Sequence, residues 1–184
     1  MNQWILWRRI DLHGHEACRL YELGAQWHLE GTAVFSSDNR ACALSYLIAC
    51  DSSWNTVRGV ISGWLGSDSV NIELVVDPID HRWQLNGVEK LSVSGCIDLD
   101  LNFSPSTNLL PIRRLNLDIG QQAEVEAAWL RFPSFELERF SQVYTRLDEF
   151  TYRYASGGGK FVRDLTVNKV GLVTDYPGLW QAEQ

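Results

Sequence analysis

Long apolar runs are missing from this sequence. No stretch approaches the roughly 20 residues that a membrane-spanning helix needs, and Met1 to Glu16 holds no apolar segment of signal-peptide length. Concentrated positive charge is missing as well. The net charge is −7, and Arg8-Arg9 and Arg113-Arg114 are pairs and no more. A nucleic-acid backbone needs a dense basic footprint, so it is excluded as a partner. Anionic lipid headgroups gain no electrostatic help from such a surface. Cys18, Cys42, Cys50 and Cys96 show no CxxC pair and no regular spacing; they read as reduced, buried thiols of a cytoplasmic protein. There is no linker, low-complexity tract or internal repeat, so residues 1–184 read as one domain, long enough to bury roughly 70% of its unfolded surface.

Catalytic signatures are equally scarce. No GxSxG, HExxH or Cys/His constellation occurs, and the triplet Gly157-Gly158-Gly159 before Lys160 lacks the Walker spacing, with Phe161 following the lysine. The triplet reads as a hairpin tip. His13-Gly14-His15-Glu16 could ligate a metal if both rings pointed one way from a strand, but no third partner is evident and a glycine between histidines is equally a turn. No metal site and no cofactor are assigned.

What the chain has is alternation. Val70, Ile72, Leu74 and Val76 oppose Asn71, Glu73 and Asp77. Ile97, Leu99, Leu101 and Phe103 oppose Asp98, Asp100 and Asn102. A period of two marks strands with one dry and one wet face, and turns such as Asn86-Gly87 make them antiparallel neighbours. Further strands are expected over Trp4–Ile10, Ala17–Leu23, Gln26–Phe35, Arg40–Cys50, Trp54–Leu65 and Glu124–Phe132. His28 falls on a polar face. Ala43, Ser45 and Ala49, all small, suggest that another layer packs against that side of their strand. Gly59 and Gly63 at alternate positions mark a bend or a close approach. Ser104–Pro111 reads as a polar loop holding a helical turn begun at Ser106, after which Arg113, Leu115, Leu117 and Ile119 resume the alternation. For Phe135–Leu147 the pattern alone, Leu137, Phe140, Tyr144 and Leu147, favours an amphipathic helix. Eight tryptophans are unusual; most large aromatics are core, but several on the concave side of a curved sheet would line a pocket.

Several stretches taken together carry a resemblance: Tyr46 with Asp51 and Trp54; Asp98-Leu99-Asp100-Leu101 through Ser104-Pro105 and Thr107-Asn108 to Pro111-Ile112-Arg113-Arg114-Leu115; Gln142 with Tyr144; and Gly171-Leu172-Val173 to Tyr176-Pro177-Gly178-Leu179-Trp180. In this order they resemble a family of bacterial proteins described as glycolipid-binding, over almost the whole chain. The resemblance implies a mainly β fold, an antiparallel β-roll or half-open barrel with at most short helical segments, in which Phe135–Leu147 is a strand. It also implies a likeness to lipoprotein and glycolipid carriers whose curled sheets enclose an apolar cavity.

The functional expectation is a protein that holds a lipid or glycolipid in such a cavity, the sugar lying against aromatic rings. The candidate ligand-binding residues are Arg58, Trp64, Trp83, Arg113, Arg114, Tyr144 and Tyr152. One alternative is a hydrolase using Asp98 and Asp100, about 7 Å apart on one strand face, as acid and base. Asp98 paired with Arg114 as a buried structural network is a further reading of the same residues. Another alternative is a structural or dimerising module with an exposed sheet edge or aromatic patch.

Overall fold

The computed structural model describes residues 3–183. The first half of the chain runs as a meander in which alternation is followed except at the start of the fifth strand, where a register shift buries Thr56. Its strands are β1 (Gln3–Arg9), β2 (Gly14–Leu23), β3 (Gln26–Ser37), β4 (Arg40–Cys50), β5 (Thr56–Leu65) and β6 (Asp68–Val76). The short hairpin β7 (Trp83–Leu85) and β8 (Val88–Glu89) follows, turned by Asn86 and Gly87, both at positive φ. Then come β9 (Leu99–Leu101), the helix α1 (Leu109–Leu115) preceded by a 3-10 turn over Ser106–Asn108, and six strands: β10 (Gln122–Arg131), β11 (Glu136–Arg146), β12 (Thr151–Ser156), β13 (Phe161–Val167), β14 (Val173–Tyr176) and β15 (Trp180–Glu183). All fifteen strands belong to one sheet, ordered β8-β7-β6-β5-β4-β3-β2-β1-β15-β14-β13-β12-β11-β10-β9. The chain ends meet in the middle, where β1 pairs antiparallel with β15. The sheet is not closed into a barrel.

The mainly β roll expected from the resemblance is what the chain forms, with two local differences. The segment Ile97–Phe103, read as the cleanest strand, contributes only three residues to the sheet, and these pair with β10 in parallel (Leu99 opposite Ala128, Leu101 opposite Leu130). The expected strand through Arg113, Leu115, Leu117 and Ile119 does not form: Arg113 and Leu115 end α1, which has Pro111 in its first turn, where a missing N–H costs nothing, and Leu117 and Ile119 lie in the connection that follows. Phe135–Leu147 is a strand, as the resemblance implies and the pattern alone does not; β11 is paired on both sides, and two hydrogen-bonded neighbours outweigh a weak helical periodicity.

The most consequential feature is what lies on the inner face. The segment from Leu91 to Leu117 leaves the sheet edge and returns through the inside of the roll. Val93, Cys96, Leu99, Leu101, Phe103, Leu109, Leu110 and Ile112 are all buried there. The expected apolar hollow is therefore occupied by the chain itself. Trp7 and Trp83, fully buried, complete the packing, and each indole N–H has a carbonyl partner: Trp7 with Val173 at 2.6 Å and Trp83 with Cys96 at 2.8 Å. Thr56 ties β5 to the inner segment, its backbone N–H donating to the Ile97 carbonyl at 3.2 Å and its hydroxyl accepting from Leu99 N–H at 3.1 Å. Gly59 eases the approach where the two meet: a Cβ there would lie 3.1 Å from the end of the Leu99 side chain. The close-approach reading of that glycine is thus the one realised.

The outer face carries no second layer. Ala43 and Ala49 are half-buried and Ser45 is exposed. Ala43 is small because the register sets it between Val34 and Trp64, both large and exposed; Ser45 hydrogen-bonds Thr32 at 2.9 Å. His28 faces outward, stacked on Tyr21. All four cysteines are free and buried.

Candidate functional site

The site begins with β9, whose alternation sends Leu99 and Leu101 into the core and leaves Asp98 and Asp100 to find polar partners. Asp98 finds a full one. Arg114, in the last turn of α1, meets it as a fork, with Nε 3.0 Å from Oδ1 and Nη2 2.6 Å from Oδ2. The Asp98 side chain is only 1% exposed. Burial still holds its carboxyl above the usual range, against the lowering influence of Arg114. This is the structural network anticipated for the pair. It removes Asp98 from acid/base work, and a glycosidase needs two available carboxyls.

Asp100, two residues on, has no cation. Its partner is the neutral amide of Gln142 on β11, whose Nε2 donates to Oδ2. Desolvation raises its pKa to about 6, against the lowering effect of that hydrogen bond. Beside it, Tyr144 on β11 donates through its hydroxyl to Asn108 Oδ1 at 2.9 Å, fixing the asparagine at the start of α1. Tyr154 on β12 packs edge-on against Tyr144, with ring centroids 5.3 Å apart. Tyr154 also meets Phe161 at 6.0 Å and Tyr176 at 6.2 Å. Burial and the nearby Asp100 push both the Tyr154 and the Tyr176 hydroxyls up, so they stay protonated donors.

Asp100, Asn108, Tyr154 and Tyr176 floor a cleft of about 370 Å³, with Gln142 and Tyr144 behind them. Its walls include Trp129, stacked on Phe140 at 4.7 Å, together with Phe161 and Trp180. The volume lies at the lower end of the range for small-molecule sites. Gly157, at the mouth, opens the tip Gly157-Gly158-Gly159, whose φ values are 58, 65 and 82°. Three consecutive left-handed residues demand glycine.

Behind the cleft wall lies a second buried group. Ser104, which lines the cleft, donates to Oε1 of Glu16 on β2 at 2.5 Å, and Tyr46 on β4 donates to the same oxygen at 2.6 Å. Gly31 makes room for this, since a Cβ there would come within 2.4 Å of the Tyr46 hydroxyl. Oε2 of Glu16 is buried with no hydrogen-bond partner among the described residues. Burial raises the Glu16 pKa to about 7, against lowering by Ser104, Tyr46 and the charge of Arg9. Glu16 therefore faces away from His15, which is exposed and 3.3 Å from Glu183. The two cannot share a metal. Among the described residues no group of three or more His, Cys, Asp or Glu side chains converges to hold an ion.

Of the residues singled out from sequence, Arg114 and Tyr144 lie beside Asp98, Asp100 and Asn108. The others lie elsewhere. Arg58 is exposed on the outer face, paired with Glu73 at 2.6 Å. Trp64 is exposed on the same face. Trp83 is wholly core. Arg113 lies over Trp54 at 5.0 Å and Tyr152 under Arg146 at 5.7 Å; Arg113 and Tyr152 share a separate cleft of about 460 Å³ beside the far end of α1. Sequence reasoning passed over Asn108, Trp129, Tyr154, Tyr176 and Trp180 as site residues. A signal existed for Tyr154: it takes the dry position two residues after Tyr152.

Fold and site together define a one-sheet β-roll, filled by its own chain, with an aromatic-walled and polar-floored cleft on one side. The chain belongs to the family described as "Putative glycolipid-binding", whose profile matches residues 4–182. It is similar to the crystal structure of a DUF1089 family protein from Pseudomonas aeruginosa, with 34% identity over 90% of each chain and a TM-score of 0.78. No curated protein matches the chain. Among the described residues no helix is long and apolar enough to cross a membrane.

Proposed function

We propose that this protein binds a glycolipid by its sugar head, seated in the cleft above Asp100, with residues 1–184 acting as one unit. The observation that carries this reading is the chemistry of that cleft. Aromatic rings offer flat apolar faces to the C–H face of a sugar ring, while Asp100, Asn108 and the Tyr176 hydroxyl offer acceptors and donors to its hydroxyl groups. The family description points the same way. A buried alkyl chain would add about 0.8 kcal/mol per methylene, but the inner face is covered by the chain's own Leu91–Leu117 segment, so recognition falls to the head and the tail stays outside. Tyr144 is a positioning residue that holds Asn108. The expectation that an amphiphile fills the hollow of the sheet is replaced by this one.

Octyl glucoside, titrated below its micellar concentration and followed by tryptophan emission, is expected to bind, whereas 1-octanol is not. Asp100→Ala and Tyr154→Ala are each expected to weaken octyl glucoside by about tenfold or more, the loss of one or two hydrogen bonds to the ligand. Equal binding of octanol, or variants that bind as the wild type does, would mean that the head is not what is recognised.

A further inference from the structure

The two carboxylates at β9, Asp98 just before the strand and Asp100 within it, are treated differently by the fold. Asp98 is matched by a guanidinium, 2.6 Å away; Asp100, two residues on, receives only a neutral amide. Among the described residues Asp100 is also the one charged side chain lining the cleft, and no lysine, arginine or histidine lines it. The two arginines that lie against the cleft's rings are engaged by other groups. Arg9 is held by Asp11 at 2.9 Å and lies against the Trp180 ring, and Arg163 donates to the Pro177 carbonyl at 3.1 Å and lies against Phe161. Six aromatic side chains line the same cleft: Trp129, Phe140, Tyr154, Phe161, Tyr176 and Trp180. Aromatic faces attract cations through their quadrupole, and a desolvated carboxylate without a counter-charge is costly until one arrives. The same surroundings repel an anion, as does a chain of net charge −7.

We infer that the sugar head taken by this cleft carries a free amine, its ammonium group pairing with Asp100 and lying among the aromatic rings. The inference rests on the sugar-head reading and narrows it from sugars in general to amino sugars. It assigns to Asp100 the choice between a basic and a neutral head, and to the ring walls the task of keeping water from the ion pair. Acidic sugars and phosphorylated heads are the ligands this arrangement rejects.

The test compares octyl glucoside with the octyl glycoside of glucosamine, free at the 2-amino group, by calorimetry on the full chain at neutral pH and 150 mM salt. The amine is expected to bind at least tenfold more tightly. In Asp100→Asn the ratio of the two affinities is expected to fall to near one. If the wild type binds both equally, or prefers the neutral glycoside, the inference is overturned while the sugar-head reading stands. A preference that survives in Asp100→Asn overturns it too, since net negative charge alone would then explain the attraction. If neither glycoside binds, both readings fall together. Should Asp100→Asn not fold, wild-type amide shifts decide. The glucosamine glycoside should move Asp100 and Gly157 well beyond the neutral one, and equal shifts at these positions overturn the inference.

Discussion

Arg114→Leu is expected to lower the free energy of unfolding by about 3–5 kcal/mol, the typical loss when one partner of a buried ion pair is removed. The cause is the carboxylate left behind. Asp98 is almost without solvent contact, and its two strongest hydrogen bonds come from this one guanidinium. Without Arg114 it must stay ionised and unpaired or take up a proton, and either costs stability. Its carboxyl already titrates above its ordinary range, so the loss should be smaller at pH 5 than at pH 8, where protonation offers no relief. The double variant Asp98→Leu/Arg114→Leu should regain most of the loss, because replacing both partners with apolar groups is often close to neutral. Urea unfolding of the three proteins at both pH values measures this. A loss below about 1 kcal/mol for Arg114→Leu, the size expected of a solvated pair, would mean that the inner segment is not anchored to α1 by this contact.

The second large effect concerns pH. Glu16 titrates near 7 in the folded chain against 4.5 in its ordinary state. Between these values the unfolded chain has already lost the proton and the folded chain still holds it. Stability therefore falls as pH rises through this window and is constant above it. From pH 5 to 8 the loss from Glu16 is about 2–3 kcal/mol. Asp98 and Asp100 act in the same sense, since burial raises both. The lowered carboxyls Glu30, Asp77, Asp148 and Asp164 are on the surface, and what they contribute disappears only in stronger acid. The wild type is accordingly expected to be more stable at pH 5 than at pH 8. Glu16→Gln keeps the oxygen that Tyr46 and Ser104 address and removes the charge, so its unfolding free energy should change much less over the same range. Denaturant midpoints at the two pH values read this directly. A wild type that gains stability toward pH 8, with Glu16→Gln following in parallel, would contradict a buried and partnerless Glu16 oxygen.

How far the sequence speaks can be argued from particular segments. In β2 to β6 a period of two coincides with a dry and a wet face, broken only at the start of β5, where a register shift beside Cys50 turns Thr56 inward. The same rule misleads at Ile97–Phe103. There alternation separates leucines that are buried from two aspartates that are partnered by side chains, Asp98 sealed by Arg114 and Asp100 held by Gln142 at the floor of the cleft. Polar positions in a strand pattern report a need for partners; whether water or another side chain supplies them is decided by residues far away in the chain. At Leu109–Leu115 the alternation from Arg113 onward read as strand and Pro111 as the end of a loop, when Pro111 sits in the first turn of a helix. The filled interior was hidden for a related reason. Periodicity says which face is dry, while the material that covers it comes from the connection between β8 and β10, whose alternating segments read as further strands of the sheet. The site was least legible. Asp100, Asn108, Gln142, Tyr154 and Tyr176 are gathered from five segments spread over 77 positions, and no local spacing encodes their meeting. The resemblance reached further than the pattern because it carried the order of these segments as a whole.

The central claim is that a sheet filled by its own chain recognises the head of an amphiphile at its side and leaves the tail outside. Intermolecular nuclear Overhauser effects between octyl glucoside and the protein test it most directly. The account expects cross-peaks from the sugar protons to the rings of Tyr154, Phe161 and Trp129, and none from the alkyl chain to the methyl groups of Ile61, Leu99 or Leu109. Alkyl cross-peaks to those methyl groups, with the sugar protons silent, would place the tail inside the roll and contradict it.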